Sequence, residues 1–406
     1  MSKNNTGYLL LMAVTIYLSS GAILGFIQVG WPLLLQRQGM PVQWVSLVIL
    51  LVLPFAICAL WAPLVDRFWM AKLGRRRSWI APMQLLIAGV LLVAIRWDDQ
   101  RSVLVTSLGI ASFCAATLDV ALDALLIENC WDEKQIAIRG PLKVAGMLAG
   151  GLAGSTLSVW LYSQFNMAAT LMLLEAMAIL PLLFIVPWRE TSARVAAGAG
   201  RGWFDFRRFF AQPGSKPMMV MAVMLTGLIE MGLEGMRLYL VSRHIPLPTL
   251  SLLLGPVAGI VGIIGAIAGG LLGRRFGLLR VIIACGIVLG LLTGVLSLAA
   301  ASFGHGDMMT FGWFVAAGLV YTMLTSCLFS FSMLWCQGSA HLASDFASIQ
   351  SAWIFSGIAG ASLSGLLIAR TGWSGAFAGI ASFLLLLCLI IPRRFSQHPY
   401  LLKQEK

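Results

Sequence analysis

The chain has 406 residues, 59% of them hydrophobic and 11% charged, against roughly 25% charged in a soluble domain. That composition excludes an ordinary soluble protein and predicts an all-α membrane protein that crosses the bilayer many times. The formal net charge of +12 is read as topological rather than as nucleic-acid binding, because the basic residues gather between apolar runs.

Twelve apolar runs approach the roughly 20 residues that a span needs: 8–35, 43–65, 79–95, 102–127, 140–163, 167–187, 217–242, 248–272, 279–301, 309–335, 343–369 and 374–392. The first is too long for the apolar region of a signal peptide, so it is expected to be a span. With both termini in the cytoplasm, 21 of the 28 Lys and Arg residues fall on the inner side and five on the outer. Lys143 and Arg237 fall within spans. The bias predicts cytoplasmic termini. Seven cysteines make no Cys-x-x-Cys or Cys/His cluster, so no metal site, cofactor or disulfide framework is expected.

The hydrophilic stretch after the second run holds Asp66, Arg67, Lys72, Gly74, Arg75, Arg76 and Arg77. A longer stretch, 188–216, is expected to be a cytoplasmic linker. Within it Ala196–Gly200 reads as a flexible connector. Trp203–Phe210 reads either as a short helix lying on the inner leaflet, aromatic face down, or as a solvated connector. The linker divides the chain into two pseudo-symmetric halves of six helices, 1–187 and 217–406. Gly269–Gly277 repeats the basic turn, with Gly273 standing where the first copy has Asp66.

These features resemble the major facilitator superfamily, whose loop motif runs Gly-x-x-x-Asp-Arg-x-Gly-Arg-Arg. The chain keeps Asp66, Arg67, Gly74, Arg75 and Arg76. It departs at Ala62 and Pro63, in the region of the leading Gly, and in having six residues between Arg67 and Gly74. Trp61–Arg67, Gly74–Ile80, Gln84 and the Asp119-x-x-x-Asp123-Ala124 pattern are similar to a branch holding muropeptide permease, acetyl-coenzyme A transporters and inner-membrane siderophore importers of the pyochelin and rhizobactin type. The Gly25-Phe26 and Pro32–Gly39 pattern resembles the importers most. The resemblance implies that spans one, four, seven and ten line the central cavity.

Charges inside spans are costly and so are functional candidates. Asp119 and Asp123, four apart, share a helix face. Asp119 is a candidate proton-titrating group or a structural one. Asp123 is read as an inner-gate residue, paired with Arg67, Arg77 or Lys143. Glu230, Glu234 and Arg237 share a stripe of the seventh span. Glu230 is the freer carboxylate, for ligand contact and proton coupling, against an interdomain salt bridge as the alternative. Glu175 carries a proton or points, neutral, at a neighbouring helix. Lys143 is expected to snorkel to the inner surface. Tyr17, Gln28, Trp31, Tyr321 and Gln350 are aromatic or amide groups at depth, suited to a bulky ligand or to packing.

No nucleotide-binding loop and no catalytic constellation is found, so neither an enzyme nor an ATP-driven pump is expected. The expected function is secondary transport by a monomer in a bacterial inner membrane, with protons, lipid and a small molecule as partners and no nucleic acid. The first reading is proton-coupled import of a ferric siderophore. The alternatives are muropeptide uptake, multidrug export and a non-transporting membrane sensor.

Overall fold

The computed structural model describes residues 3–130, 132–190, 206–243, 245–301 and 307–395. Among them helices dominate, and the one isolated β-bridge joins Met70 to Gly74. Ten helical runs are long and apolar enough to cross a membrane singly. They are α1 (Thr6–Arg37), α2 (Gln43–Leu60), α3 (Arg77–Arg96), α4 (Arg101–Glu128), α5 (Glu133–Gln164), α6 (Met167–Ile185), α7 (Ser215–Ser242), α8 (Thr249–Phe276), α9 (Leu278–Ala301) and α10 (Met309–Cys336). An eleventh run, Leu342–Ile391, breaks at Gly372, where φ is 70° and ψ 176°. A side chain is strained in that region and glycine is not. The break yields α11 (342–371) and α12 (373–391). The twelve apolar runs therefore become twelve helices.

The irregularities have local causes. In α2, 3₁₀ turns at Val48–Val52 and Cys58–Leu60 flank a short helix opened by Pro54, as expected where a proline removes a backbone donor. α1, α5 and α8 each contain one π turn, at Phe26–Gly30, Ala153–Leu157 and Leu253–Val257. Such turns recur at functional positions. α1 and α5 meet at the glycines around the first two: Gly25 lies against the backbone of Gly151, and Gly154 against that of Ala22.

The described residues fall into two compact units. The first takes those within 1–131, 142–203 and 336–348; the second takes those within 132–141, 204–335 and 349–406. Each unit thus holds one short segment from the other half of the sequence. In the second unit that segment is anchored by Ser330, whose Oγ accepts from the Gly140 N–H at 3.1 Å and donates to the Ala137 carbonyl at 3.4 Å. In the first unit α4 is the hub: every residue from Cys114 to Ile127 is buried. A helix buried on all faces is a central one, and any charge on it must find partners within the protein.

Residues 191–205 of the linker, with Ala196–Gly200 and Trp203, lie outside the described residues. Phe206–Ala211 is helical, but its aromatics do not all face lipid. Phe209 is 1% exposed and packs edge-on against Trp335 at 5.6 Å. The expected lipid-facing aromatic surface is corrected there, because a tryptophan at the end of α10 covers that ring. Phe210 remains exposed.

Candidate functional site

Two charged clusters occupy the first unit. The deeper one joins α1, α4 and α5. Lys143 Nζ donates to Asp119 Oδ2 at 2.9 Å and to Asp123 Oδ2 at 2.5 Å. The Tyr17 hydroxyl donates to Asp123 Oδ1 at 2.6 Å. All four side chains are at most 1% exposed. The ammonium also lies 5.8 Å from the Tyr17 ring and 5.6 Å from the Phe346 ring, within the range of a cation–π attraction. Two carboxylates against one ammonium leave one formal negative charge. Lys143 does not snorkel: it lies about three turns inside α5, and two carboxylates of α4 hold its head. Asp123 engages Lys143 and Tyr17 rather than the loop arginines Arg67 and Arg77.

The second cluster is built on the loop between α2 and α3. Asp66 ends the short helix Ala62–Arg67 and is 2% exposed. Its Oδ1 accepts from Arg75 at 3.3 Å, from Arg76 at 3.1 Å and from the Ala343 N–H at 3.2 Å. Its Oδ2 accepts from the Ser344 N–H at 2.9 Å and the Ser344 hydroxyl at 2.8 Å. Asp66 therefore satisfies the orphan donors at the start of α11 and complements that helix's dipole. Arg76, wholly buried, also donates to Glu128 Oε1 at 2.6 Å, and Arg75 reaches the same oxygen at 3.3 Å. Burial opposes the Arg76 charge, but Glu128 and Asp66 outweigh it and hold the guanidinium above its ordinary range. Burial and the neighbouring Arg76 push Arg75 the other way, and its carboxylates only partly compensate.

Glu190 closes this loop from beyond α6. Its Oε2 accepts from the backbone N–H groups of Arg76 and Arg77, both at 2.9 Å. Burial raises its carboxyl above the ordinary value, and those two donors partly offset the rise. Gly74 sits at φ 99° with Glu190 where a side chain would project, so only glycine fits the turn. Arg77 donates to the Val186 carbonyl at 2.8 Å. Arg67 is half-buried, with its guanidinium 5.6 Å from the Phe68 ring.

The second unit carries a simpler site. The Tyr321 hydroxyl, from α10, donates to Glu230 Oε1 on α7 at 2.5 Å. Glu230 is half-buried. One turn on, Arg237 pairs with Glu234 at 3.0 Å, with side chains 49% and 30% exposed. α7 is braced on α11: Gly227 lies against the Gly360 backbone, Ser356 donates to the Val223 carbonyl, and Ser364 donates to the Met231 carbonyl at 2.9 Å.

The other candidates are dispersed. Glu175 is 5% exposed, and neither of its carboxyl oxygens has a hydrogen-bond partner among the described residues. Gln28 is exposed in the π turn of α1. Trp31 lines a cavity of about 460 Å³ with Gln38, Asp98, Asp99, Arg101 and Tyr162. Gln350 is buried in α11. Sequence reasoning missed Glu128 and Glu190; of its two readings of Lys143, the pairing with Asp123 is present and the snorkelling is not. The last residue of α4 and a residue past α6 carry no motif that marks them. Their available signal is charge: three arginines in a row need acidic partners once the loop is buried.

A family profile described as acetyl-coenzyme A transporter 1 matches residues 8–125. An uncharacterized Haemophilus influenzae protein is 32% identical over 130 residues, covering 30% of each chain. The anhydromuropeptide permease of Escherichia coli K12 is 30% identical over 118 residues, covering 26% of this chain and 22% of the permease. The matched stretch thus spans at most about a third of these relatives' length. Among solved structures, the E. coli fucose:proton symporter FucP aligns with a TM-score of 0.72 at 13% identity, over 95% of this chain and 98% of that one. A bacterial homologue of the iron transporter ferroportin aligns with a TM-score of 0.71 at 14% identity, over 97% and 100%. The fold is that of the major facilitator superfamily; residues 8–125 resemble the acetyl-coenzyme A transporters, and part of the chain resembles the muropeptide permease.

Proposed function

We propose that this protein is a proton-coupled secondary transporter of the bacterial inner membrane, with both termini cytoplasmic, and that it imports a muropeptide-type solute rather than a ferric siderophore. The observation that carries the reading is the Tyr17–Asp123–Lys143–Asp119 cluster. It is a buried group of titratable side chains, two carboxylates to one ammonium, on α1, α4 and α5 of the first unit. Ionisable residues at membrane depth mark ion and substrate paths. Residues 8–125, which hold Asp119 and Asp123, match the acetyl-coenzyme A transporter profile, and a stretch of 118 residues is similar to the anhydromuropeptide permease; these likenesses support that branch over the siderophore class. Asp119 is assigned the coupling proton, and Lys143 is the group whose pairing changes when that proton arrives. Asp66, Arg75, Arg76 and Glu128 are assigned the latch that holds the start of α11 in one state.

The test is uptake into proteoliposomes under an imposed proton gradient. Labelled anhydromuropeptide is expected to accumulate, a protonophore to abolish accumulation, and Asp119→Asn to remove gradient-driven uptake while sparing exchange. Accumulation of a labelled ferric siderophore with none of the muropeptide would restore the siderophore reading. Equal uptake by protein-free liposomes would refute transport altogether.

A further inference from the structure

We infer that Glu230 recognises an ammonium group on the transported molecule, with Tyr321 fixing the carboxylate that receives it; the inference rests on the transporter reading above. Glu230 lies near the middle of α7, about 22 Å from one end and about 18 Å from the other at the helical rise per residue. Such a position is costly for a charge without a partner. The neighbouring charges do not supply one. On α7 itself Arg237 is committed to Glu234 at 3.0 Å. α10 contributes the neutral Tyr321 hydroxyl, and α11 contributes Gly357, placed so that an added methyl would lie 3.3 Å from Glu230 Cγ. Glu230, Glu234 and Arg237 thus sum to one negative; Lys216, the fourth charge of α7, stands in its first turn about 21 Å away, and no cation of the described residues forms an ion pair with Glu230.

The geometry favours an organic cation over a bare proton. The Tyr321 hydroxyl already donates to Oε1, so one carboxylate oxygen is engaged by the protein itself. It also leaves Oε2 as an open acceptor on a half-buried side chain. An ammonium brings both the missing charge and up to three donors. Charge-assisted hydrogen bonds of this kind are the strong ones. The brace is rigid as well. Gly227 against Gly360 and the Ser356 and Ser364 bonds fix α7 on α11, so the carboxylate is held in place before any ligand arrives.

The experiment compares an anhydromuropeptide carrying a free side-chain amine with the same compound N-acetylated at that amine, in reconstituted wild-type protein, Glu230→Gln and Tyr321→Phe. The wild type is expected to take up the free amine at least about tenfold better, the scale of one hydrogen bond to a charged group. Glu230→Gln should lose that preference and Tyr321→Phe should reduce it. Thermal-shift measurements on purified protein with 1,6-diaminohexane and 1,6-hexanediol run in parallel, so that amine binding is read even if neither muropeptide is transported. Only the diamine should stabilise, and only while Glu230 is present. Equal handling of free and acetylated amines, or equal shifts in wild type and Glu230→Gln, would overturn the inference. Loss of gradient coupling with retained amine preference in Glu230→Gln would make it a proton site instead.

Discussion

In each unit a tyrosine on one helix donates to a carboxylate on another: Tyr17 of α1 to Asp123 of α4 at 2.6 Å, and Tyr321 of α10 to Glu230 of α7 at 2.5 Å. What surrounds the two pairs differs. Around Asp123 stand Asp119 and Lys143, and nothing in that cluster is more than 1% exposed. Around Glu230 no described residue supplies a paired cation, and the side chain is half-buried. A sealed carboxylate depends on the protein for its counter-charge, whereas an open one can take it from outside. The same local pairing therefore supports opposite behaviour on mutation.

The largest expected effect comes from removing the internal counter-charge. Lys143→Met removes the ammonium to which both buried carboxylates are bonded, at a cost of about 3–5 kcal/mol. The solubilised variant should unfold at a much lower temperature or fail to be recovered. Adding Asp119→Asn and Asp123→Asn to it should restore most of the lost stability. Glu230→Gln, by contrast, keeps an acceptor for Tyr321 and removes no ion pair, so its cost should stay below about 1 kcal/mol. Equal destabilisation by Lys143→Met and Glu230→Gln would erase the distinction between sealed and open sites.

Asp66→Asn tests the other sealed cluster and should have an intermediate effect. The amide keeps one acceptor for the start of α11 but loses the charge opposite Arg75 and Arg76, at a cost of about 2–3 kcal/mol. Thermal unfolding of purified protein reads the loss. Retention of the wild-type midpoint would mean that Glu128 alone neutralises both arginines.

Much of this was legible in the sequence, for physical reasons that also mark the limit. Apolar runs of bilayer length dictate helices, so twelve spans could be counted. The break at Gly372 falls in the gap between the runs 343–369 and 374–392, where Arg370 interrupts the apolar stretch. The spacing of Asp119 and Asp123 places them on one face, and that of Glu230 and Glu234 does likewise. Helical spacing says nothing about which other helix lies opposite. Lys143 was therefore read both as a partner for Asp123 and as a residue reaching the inner surface; the structure shows the pairing, with Asp119 added, and not the surface position. The Asp66–Arg76 motif was readable as a unit. Its partners Glu128 and Glu190 were not, since one ends a span and the other lies more than a hundred residues along the chain from the loop it closes.

Glu190 supplies the smallest expected effect and tests how well the loop cluster is sealed. Burial holds its carboxyl above the ordinary value despite two backbone donors, so the folded protein binds this proton more readily than the unfolded chain does. By linkage, the stability that Glu190 confers is fully present below the unfolded value near 4.5 and is lost as pH rises through the higher folded value. Glu190→Gln should remove this dependence, because the amide does not titrate and still offers an oxygen to the Arg76 and Arg77 N–H groups. Thermal midpoints of the two proteins across mildly acid pH should converge at the acid end and separate slightly, in favour of the variant, as pH rises. A wild type that instead gains on the variant with rising pH would mean that the arginine donors outweigh burial, and that Glu190 is as firmly paired as Asp66.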